Sequence, residues 1–489
     1  MAQPLSADSG ALRTDFSLLI DGDSVTTGTF LDVINPATGE VFARCPAAGR
    51  DELDRAVTAA RRAFSSWSEL SFEDRTTAIQ RMAGVLKTNA DMLAELLTRE
   101  QGKPLQQSKD EITRAATLTE GMLKIRFATE TIVDDAEKRI ELRYVPLGVA
   151  GVITPWNAPI NLAIGPLVSA LYTGNTVVLK PSPYTPLCTL KIGELIGSVL
   201  PRGVVNILAG GDALGQWITE HPGIDKISFT GSVATGKKVM ASAAGTLKRV
   251  TLELGGNDAA IVLDDVDPRA VAPKLFFAGF VNSGQVCMAV KRIYAHEKIY
   301  DALCEALAEE ARKWKVGDGL DPATKLGPIQ NRMQYEKVVG FIEDTKKAGG
   351  TFIAGAEQPA PATPGTGRGY FVNPAIVTGL DESARLVREE QFGPVVPVLK
   401  FTDVNDAIRR ANDTRYGLSG SVWSGDPERA AAIAAKLEVG TAWVNQHRAT
   451  AANVPFGGAK ESGIGRTYSK LGLKAYMEPR VVSVLKTPM

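Results

Sequence analysis

The chain has 489 residues, 44% of them hydrophobic and 22% charged, a globular composition with length for about two to four domains at roughly 100 to 200 residues each. Lys plus Arg and Asp plus Glu each total 55, and no block of one sign stands out, which argues against a nucleic-acid or membrane-surface partner. Cys45, Cys188, Cys287 and Cys304 lie far apart with no CxxC or Cys/His ligand cluster, and only three histidines are present, so no metal site is expected.

Met1 to Ser17 carries Asp8 and Asp15 and no basic segment followed by a long apolar run, so it does not read as a signal peptide. No stretch approaches the ~18 uninterrupted apolar residues of a transmembrane helix. A reducing, cytoplasmic setting is the resulting expectation. Residues from Glu52 to about Glu130 read as helical, with Ser71 and Asp74 at capping-box spacing ahead of Ile79, Met82 and Leu86. Arg139 to Tyr144 then alternates apolar Ile140, Leu142 and Tyr144 with charged neighbours, a half-buried strand pattern.

Short β-branched runs follow at Val149 to Thr154, Thr176 to Leu179, Val204 to Leu208 and Lys226 to Phe229, with helix-like segments such as Leu187 to Val199 between some of them. That alternation predicts a parallel α/β sheet. A second α/β series begins after Gly256, with strands at Ala259 to Leu263, Arg292 to Ala295, Val395 to Leu399 and Ala442 to Val444, and a helix at Ile299 to Lys315. Residues 357–369 have the Pro, Gly, Ala and Thr content of a loop. The tail Arg480 to Lys486 is again strand-like; with Arg139 to Tyr144 it suits either an arm that pairs with another subunit or an ordinary hairpin within the chain.

Three strings hold chemistry. Phe229-Thr230-Gly231-Ser232-Val233-Ala234-Thr235-Gly236-Lys237 follows a strand and opens a helix, where backbone N–H groups can hold a pyrophosphate. It matches neither fingerprint: Lys238 replaces the Ser or Thr of a P-loop, and there is no GxGxxG. Cys287 sits in Asn282-Ser283-Gly284-Gln285-Val286-Cys287-Met288, and Glu253 in Leu252-Glu253-Leu254-Gly255-Gly256-Asn257. Taken singly, each also fits a structural role: a tight turn, an inert buried cysteine, a buried structural glutamate.

Together these strings resemble the aldehyde dehydrogenase superfamily over nearly the whole chain from about Asn35. The matching strings occur in order: Pro155-Trp156-Asn157, Leu179-Lys180-Pro181-Ser182, Phe229-Thr230-Gly231-Ser232, Glu253-Leu254-Gly255-Gly256-Asn257, Gly284-Gln285-Val286-Cys287, Glu389-Glu390-Gln391-Phe392-Gly393-Pro394 and Pro455-Phe456-Gly457-Gly458. The resemblance implies an α/β fold with a Rossmann-type dinucleotide-binding domain (residues 16–123 and 145–253), an α/β catalytic domain (254–466) and a small β oligomerisation arm (124–144 and 467–489). It also implies a homodimer or homotetramer.

By the same likeness Cys287 attacks an aldehyde, and its backbone N–H with the Asn157 side chain holds the oxyanion. A nicotinamide accepts hydride, and Glu253 activates water to hydrolyse the resulting thioester. Trp156, Lys180, Ser182, Gly231, Ser232, Glu390 and Phe392 are the implied cofactor residues, Lys180 and Ser182 near the adenosine ribose and Gly231 with Ser232 near the pyrophosphate. Departures from the family pattern qualify the details. Pro183 replaces the Glu that meets the ribose 2′-hydroxyl in many NAD-using members, so NAD or NADP is expected, with NAD preferred. Thr467 stands where many members have a second Glu on the proton path. Ala158 and Gly165 are small, Asn161 is polar, and Met288 follows the nucleophile, so a wide entrance is expected, with Asn161, Met288 and Arg448 as substrate contacts. Loop arginines usually face water, the competing expectation for Arg448. Glu253 favours hydrolysis over transfer to coenzyme A. A semialdehyde dehydrogenase, a coenzyme A-acylating relative and a catalytically silent binding protein are the alternatives.

Overall fold

The computed structural model describes residues 13–355 and 369–486; residues 357–368 of the Pro/Gly/Ala/Thr-rich stretch lie outside them. Two large sheets carry the architecture. In the first the order is Gly463–Ile464, Arg249–Glu253, Lys226–Thr230, Val149–Ile153, Thr176–Lys180, Val205–Ile207, Leu18–Ile20 and Asp23–Val25. Its five central strands are parallel. Val149–Ile153 and Thr176–Lys180 are buried at every position, the pattern of strands covered by helices on both faces.

Chain order across this sheet reverses at Val149–Ile153. The chain steps outward through Thr176–Lys180 and Val205–Ile207, then returns to place Lys226–Thr230 on the other side. In an open α/β sheet the crevice outside the carboxyl ends at such a reversal is where ligands bind. Those ends here carry Trp156, Asn157, Lys180, Gly231 and Glu253.

The second sheet runs Thr351–Ala354, Ala375–Thr378, Val395–Phe401, Val290–His296, Asp258–Val262, Ser419–Trp423 and Thr441–Val444, with only the first strand antiparallel to its neighbour. Only Leu254, Gly255, Gly256 and Asn257 separate the carboxyl end of Arg249–Glu253 from the amino end of Asp258–Val262. So short a link sets the carboxyl ends of the first sheet opposite the amino ends of the second. The functional strings all lie along that seam.

The helical region resolves into Arg50–Glu69, Phe72–Thr88, Ala90–Gln101 and Leu105–Met122, and it stops short of the expected boundary because Glu130–Asp134 is a strand. Ser71 caps its helix, its hydroxyl accepting the Asp74 N–H at 3.1 Å, but the reciprocal half of a capping box is missing. The Asp74 carboxylate instead accepts the Ser71 hydroxyl at 2.8 Å, as its side chain is one methylene shorter than the usual Glu. Lys138–Pro146 lies between Glu130–Asp134 and Met477–Leu485 in a three-stranded antiparallel sheet within the chain. Ile132, Val481 and Leu485 are exposed on it.

Candidate active site

Cys287 lies in the loop between helix Pro268–Phe280 and strand Val290–His296. The loop begins with three successive left-handed residues, Asn282 (φ 54°), Ser283 (φ 55°) and Gly284 (φ 71°). Two of these are not glycine, a conformation that persists only when the surroundings hold it. Here the Asn282 amide donates to the Asn157 carbonyl at 2.8 Å and the Ser283 hydroxyl to the Gly327 carbonyl at 2.7 Å. Gln285 donates to the Asn282 carbonyl at 2.9 Å and accepts the Gln330 N–H at 2.8 Å. Gly284 is obligatory on space as well, because a Cβ there would lie 2.3 Å from the Gly393 carbonyl oxygen.

The Asn157 side chain donates to the Gln285 carbonyl at 2.9 Å, and its own carbonyl accepts Lys103 Nζ at 3.0 Å. That ties the end of the first sheet's central strand to the Cys287 loop, with a second amide hydrogen left to offer. Lys291 was not anticipated from the sequence. Its buried Nζ donates to the carbonyls of Val286 at 2.9 Å and Cys287 at 2.6 Å, 3.6 Å from Glu390 Oε1. A Lys-Arg pair inside the fully buried strand Val290–His296 was the available signal.

Burial pushes the Cys287 thiol up to about 12, against the pull of Lys291 and with the carboxylates of Glu390, Glu253 and Asp258 adding to the rise. Glu253, at the end of its strand, is 8% exposed, and neither carboxylate oxygen has a hydrogen-bond partner. Burial holds its pKa well above the ordinary value, with Arg466 opposing. Gly457 leaves it room: a Cβ there would stand 2.8 Å from Glu253 Oε1. Burial thus disfavours the charged form of both groups, and the Glu253 carboxylate is among the charges that raise the Cys287 thiol.

Glu390 accepts the Gly256 N–H at 3.0 Å, and Gly255 is cut away for it, since a Cβ there would lie 2.2 Å from Glu390 Oε2. Glu389 instead meets Arg385 at 3.2 Å on the surface. Trp156 and Phe392 contact edge to face at 5.4 Å between centroids. Lys180 Nζ is buried, donates only weakly to the Pro181 carbonyl at 3.3 Å, and burial lowers its pKa to about 8. A buried ammonium so sparsely bonded suits a ligand rich in hydroxyls or phosphate. The Ser182 hydroxyl accepts the Tyr184 N–H at 3.3 Å.

The turn after Lys226–Thr230 differs in detail from the expectation. The Gly231 N–H donates to the Glu253 carbonyl at 3.0 Å, so it is not free for a phosphate, and a Cβ on Gly231 would lie 2.4 Å from the Phe229 ring. The Ser232 hydroxyl caps helix Val233–Ala244 by accepting the Thr235 N–H at 3.2 Å. What this turn offers an anion is the helix's first backbone N–H groups. Lys237 pairs with Glu461 at 2.8 Å on the surface.

Met288 and Cys287 pack against Leu418, Trp443 and Phe456, together with Tyr468. Tyr468 fills part of the width expected from Gly165, since a Cβ on Gly165 would lie 3.6 Å from the Tyr468 ring. Thr467 is engaged in backbone bonds with Phe456, and its hydroxyl donates to the Phe456 carbonyl at 3.2 Å. Arg448 is half-buried. Its Nε is buried without a partner, and its guanidinium lies 5.6 Å from the Phe277 ring. Asn161 likewise has a buried, unpartnered Oδ1.

A reversal point in a parallel sheet, with a buried ammonium and a helix start beside it, and a strained thiol loop facing an unpartnered carboxyl define a class: a two-sheet α/β enzyme with a nucleotide crevice and a thiol centre. A family model described as the aldehyde dehydrogenase family matches residues 23–482. The betaine aldehyde dehydrogenase of Rhizobium leguminosarum bv. trifolii (strain WSM2304) is 37% identical over 484 residues, covering 97% of this chain and 98% of that protein. The crystal structure of betaine aldehyde dehydrogenase from Staphylococcus aureus in complex with NAD+ superposes with a TM-score of 0.93 at 34% identity, covering 97% of this chain and 96% of that one. A putative aldehyde dehydrogenase from Burkholderia cenocepacia gives a TM-score of 0.93 at 37% identity, covering 96% and 97%. The chain belongs to the aldehyde dehydrogenase family, as an NAD(P)+-dependent oxidoreductase acting on an aldehyde.

Proposed function

We propose that the chain oxidises its aldehyde to the carboxylic acid by hydrolysis of a thioester on Cys287. The observation that carries this reading is Glu253, a buried carboxyl with both oxygens unpartnered beside the thiol. Such a group is costly to bury and gains purpose as a base. Cys287 releases its proton to solvent and attacks the carbonyl, with its own N–H and the free amide hydrogen of Asn157 on the oxyanion. Hydride departs to NAD(P)+, the one chemistry the bound cofactor supplies. Glu253, once ionised, takes a proton from water as that water attacks the thioester. Transfer to coenzyme A would leave this carboxyl without work.

Trp156, Lys180, Ser182, the turn at Gly231 and Ser232, Glu390 and Phe392 would hold the cofactor, Glu390 at the nicotinamide ribose. NAD is the preferred form, since no arginine stands with Lys180 to select a 2′-phosphate. The seam between the sheets supports dividing the chain into a dinucleotide-binding domain (16–123, 145–253), a catalytic domain (254–466) and an arm (124–144, 467–489). The exposed apolar side chains of that arm support a homodimer or homotetramer, and the setting is cytoplasmic. The test is absorbance at 340 nm with NAD+ and NADP+ over a panel of aldehydes, with and without coenzyme A. Acid formation independent of coenzyme A and absent from Cys287→Ala is expected; acyl-coenzyme A as the product would overturn the reading.

A further inference from the structure

Among the described residues, two arginines without an acidic partner meet at the turn that is fastened to the Cys287 loop. Arg114 projects from helix Leu105–Met122, and its guanidinium donates to the Thr450 hydroxyl. Arg448 stands two residues before that threonine in a left-handed conformation (φ 66°), with a buried Nε that has no partner. The turn is fastened to the nucleophile loop: the His447 ring meets the Met288 carbonyl at 3.1 Å, and the Trp443 indole donates to the Ala449 carbonyl at 3.0 Å. Burial holds His447 neutral, with its pKa down at about 3, so it adds no charge of its own.

The acids nearest to Arg114 in sequence are committed elsewhere. Glu111 pairs with Lys103 at 2.5 Å and accepts the Ile160 and Asn161 N–H groups, while Asp110 accepts from Gln106. Arg114 repels Arg448, and a thiolate at Cys287 attracts it. Burial and that repulsion bring Arg448 down to about 10. Tyr468 packs in the apolar cluster with Cys287 and Met288 and feels the charge of Arg114 as well. Two neighbouring guanidiniums, partly desolvated and without a counter-ion among the described residues, repel each other and lose hydration. A bound anion reverses both costs, and guanidinium is the side chain suited to carboxylate.

We infer that the substrate is an aldehyde carrying a carboxylate at its far end, which Arg114 and Arg448 bind while the aldehyde reaches Cys287 past Tyr468 and Met288. This rests on the aldehyde-oxidising reading above. The aldehyde carbon is oxidised to a second carboxylate, its hydride reduces NAD(P)+, water supplies the added oxygen, and the protons leave to solvent. The product is a dicarboxylate.

The test has a kinetic and a binding arm. The enzyme is assayed on matched pairs, 4-oxobutanoate against butanal and 5-oxopentanoate against pentanal, and the ratio of kcat/KM within each pair is taken. The carboxylated member is expected to be favoured, and Arg114→Gln or Arg448→Gln to reduce that ratio by about 30-fold or more. Arg→Lys variants should restore part of it. Separately, glutarate binding to Cys287→Ala protein is measured by calorimetry, which needs no turnover; binding that disappears in the Arg448→Gln background is expected. Equal use of charged and neutral aldehydes, or a ratio indifferent to both arginines, would overturn the inference while leaving aldehyde oxidation intact. Absence of turnover on every aldehyde with glutarate still bound would instead count against the catalytic reading alone, and absence of glutarate binding would count against the anion site.

Discussion

Glu253→Gln separates the two halves of the reaction and reports on the buried carboxyl at the same time. Glutamine has the same shape, and no hydrogen bond is lost, because neither oxygen of Glu253 has a partner. A general base contributes about 100- to 10,000-fold, so steady-state turnover should fall by that factor. Reduced cofactor equivalent to about one per active site should still appear in a rapid burst, since attack and hydride loss precede the hydrolytic step. Stability should move the other way. Burial raises the folded pKa of Glu253 well above 4.5, so the folded chain keeps a proton that the unfolded chain releases. Wild type therefore loses about 1.4 kcal/mol per pH unit from this group as pH rises from the ordinary carboxylate value toward the folded one. The glutamine variant has no such loss, so its advantage in denaturant unfolding should grow with pH across that window. Stopped-flow absorbance and urea titrations at several pH values make the measurement. Loss of the burst together with turnover, or a stability difference flat in pH, would refute the reasoning.

Gly255→Ala should drive the Glu390 carboxylate from its seat, because the new Cβ falls 2.2 Å from Oε2. Loss of one charge-assisted hydrogen bond at about 1.5–3 kcal/mol predicts a rise of about 10- to 100-fold in the KM for NAD+, with the melting temperature as the control for folding. Gly284→Ala combines a φ of +71° with a contact of 2.3 Å to the Gly393 carbonyl, so it should lower the unfolding midpoint and abolish iodoacetamide labelling of Cys287 in the native loop. Gly340→Ala, in helix Arg332–Lys347 with nothing within 4 Å, should stabilise the chain by about 0.4–1 kcal/mol in the same unfolding assay.

The parallel strands were legible because burial on both faces leaves unbroken runs such as Val149–Ile153, and the order of runs and helices indicated two sheets. The helical boundary failed at Glu130 because the strand Glu130–Asp134 is largely exposed, so its sequence lacks an apolar face to mark it. Cys287, Glu253 and Asn157 were found through strings of neighbours, not through their own chemistry, and the structure brings the three to one seam. Gly231 was legible as a turn, but its N–H points to the Glu253 carbonyl, a direction that no local pattern encodes. Arg114 went unnoticed because a charged residue on an amphipathic helix looks like any solvated one until the distant turn at Thr450 is folded against it. Lys291 is similar: its worth lies in the carbonyls of a loop that a linear reading does not place over it.

The turn from Asn445 to Thr450 touches the thiol loop through one ring, His447, meeting a main-chain carbonyl. A main-chain acceptor is the same whatever side chain follows the nucleophile. Lineages of this fold can thus rewrite the outer turn and the facing residue on helix Leu105–Met122 to suit another aldehyde, while the inherited chemistry of the seam beneath stays unedited.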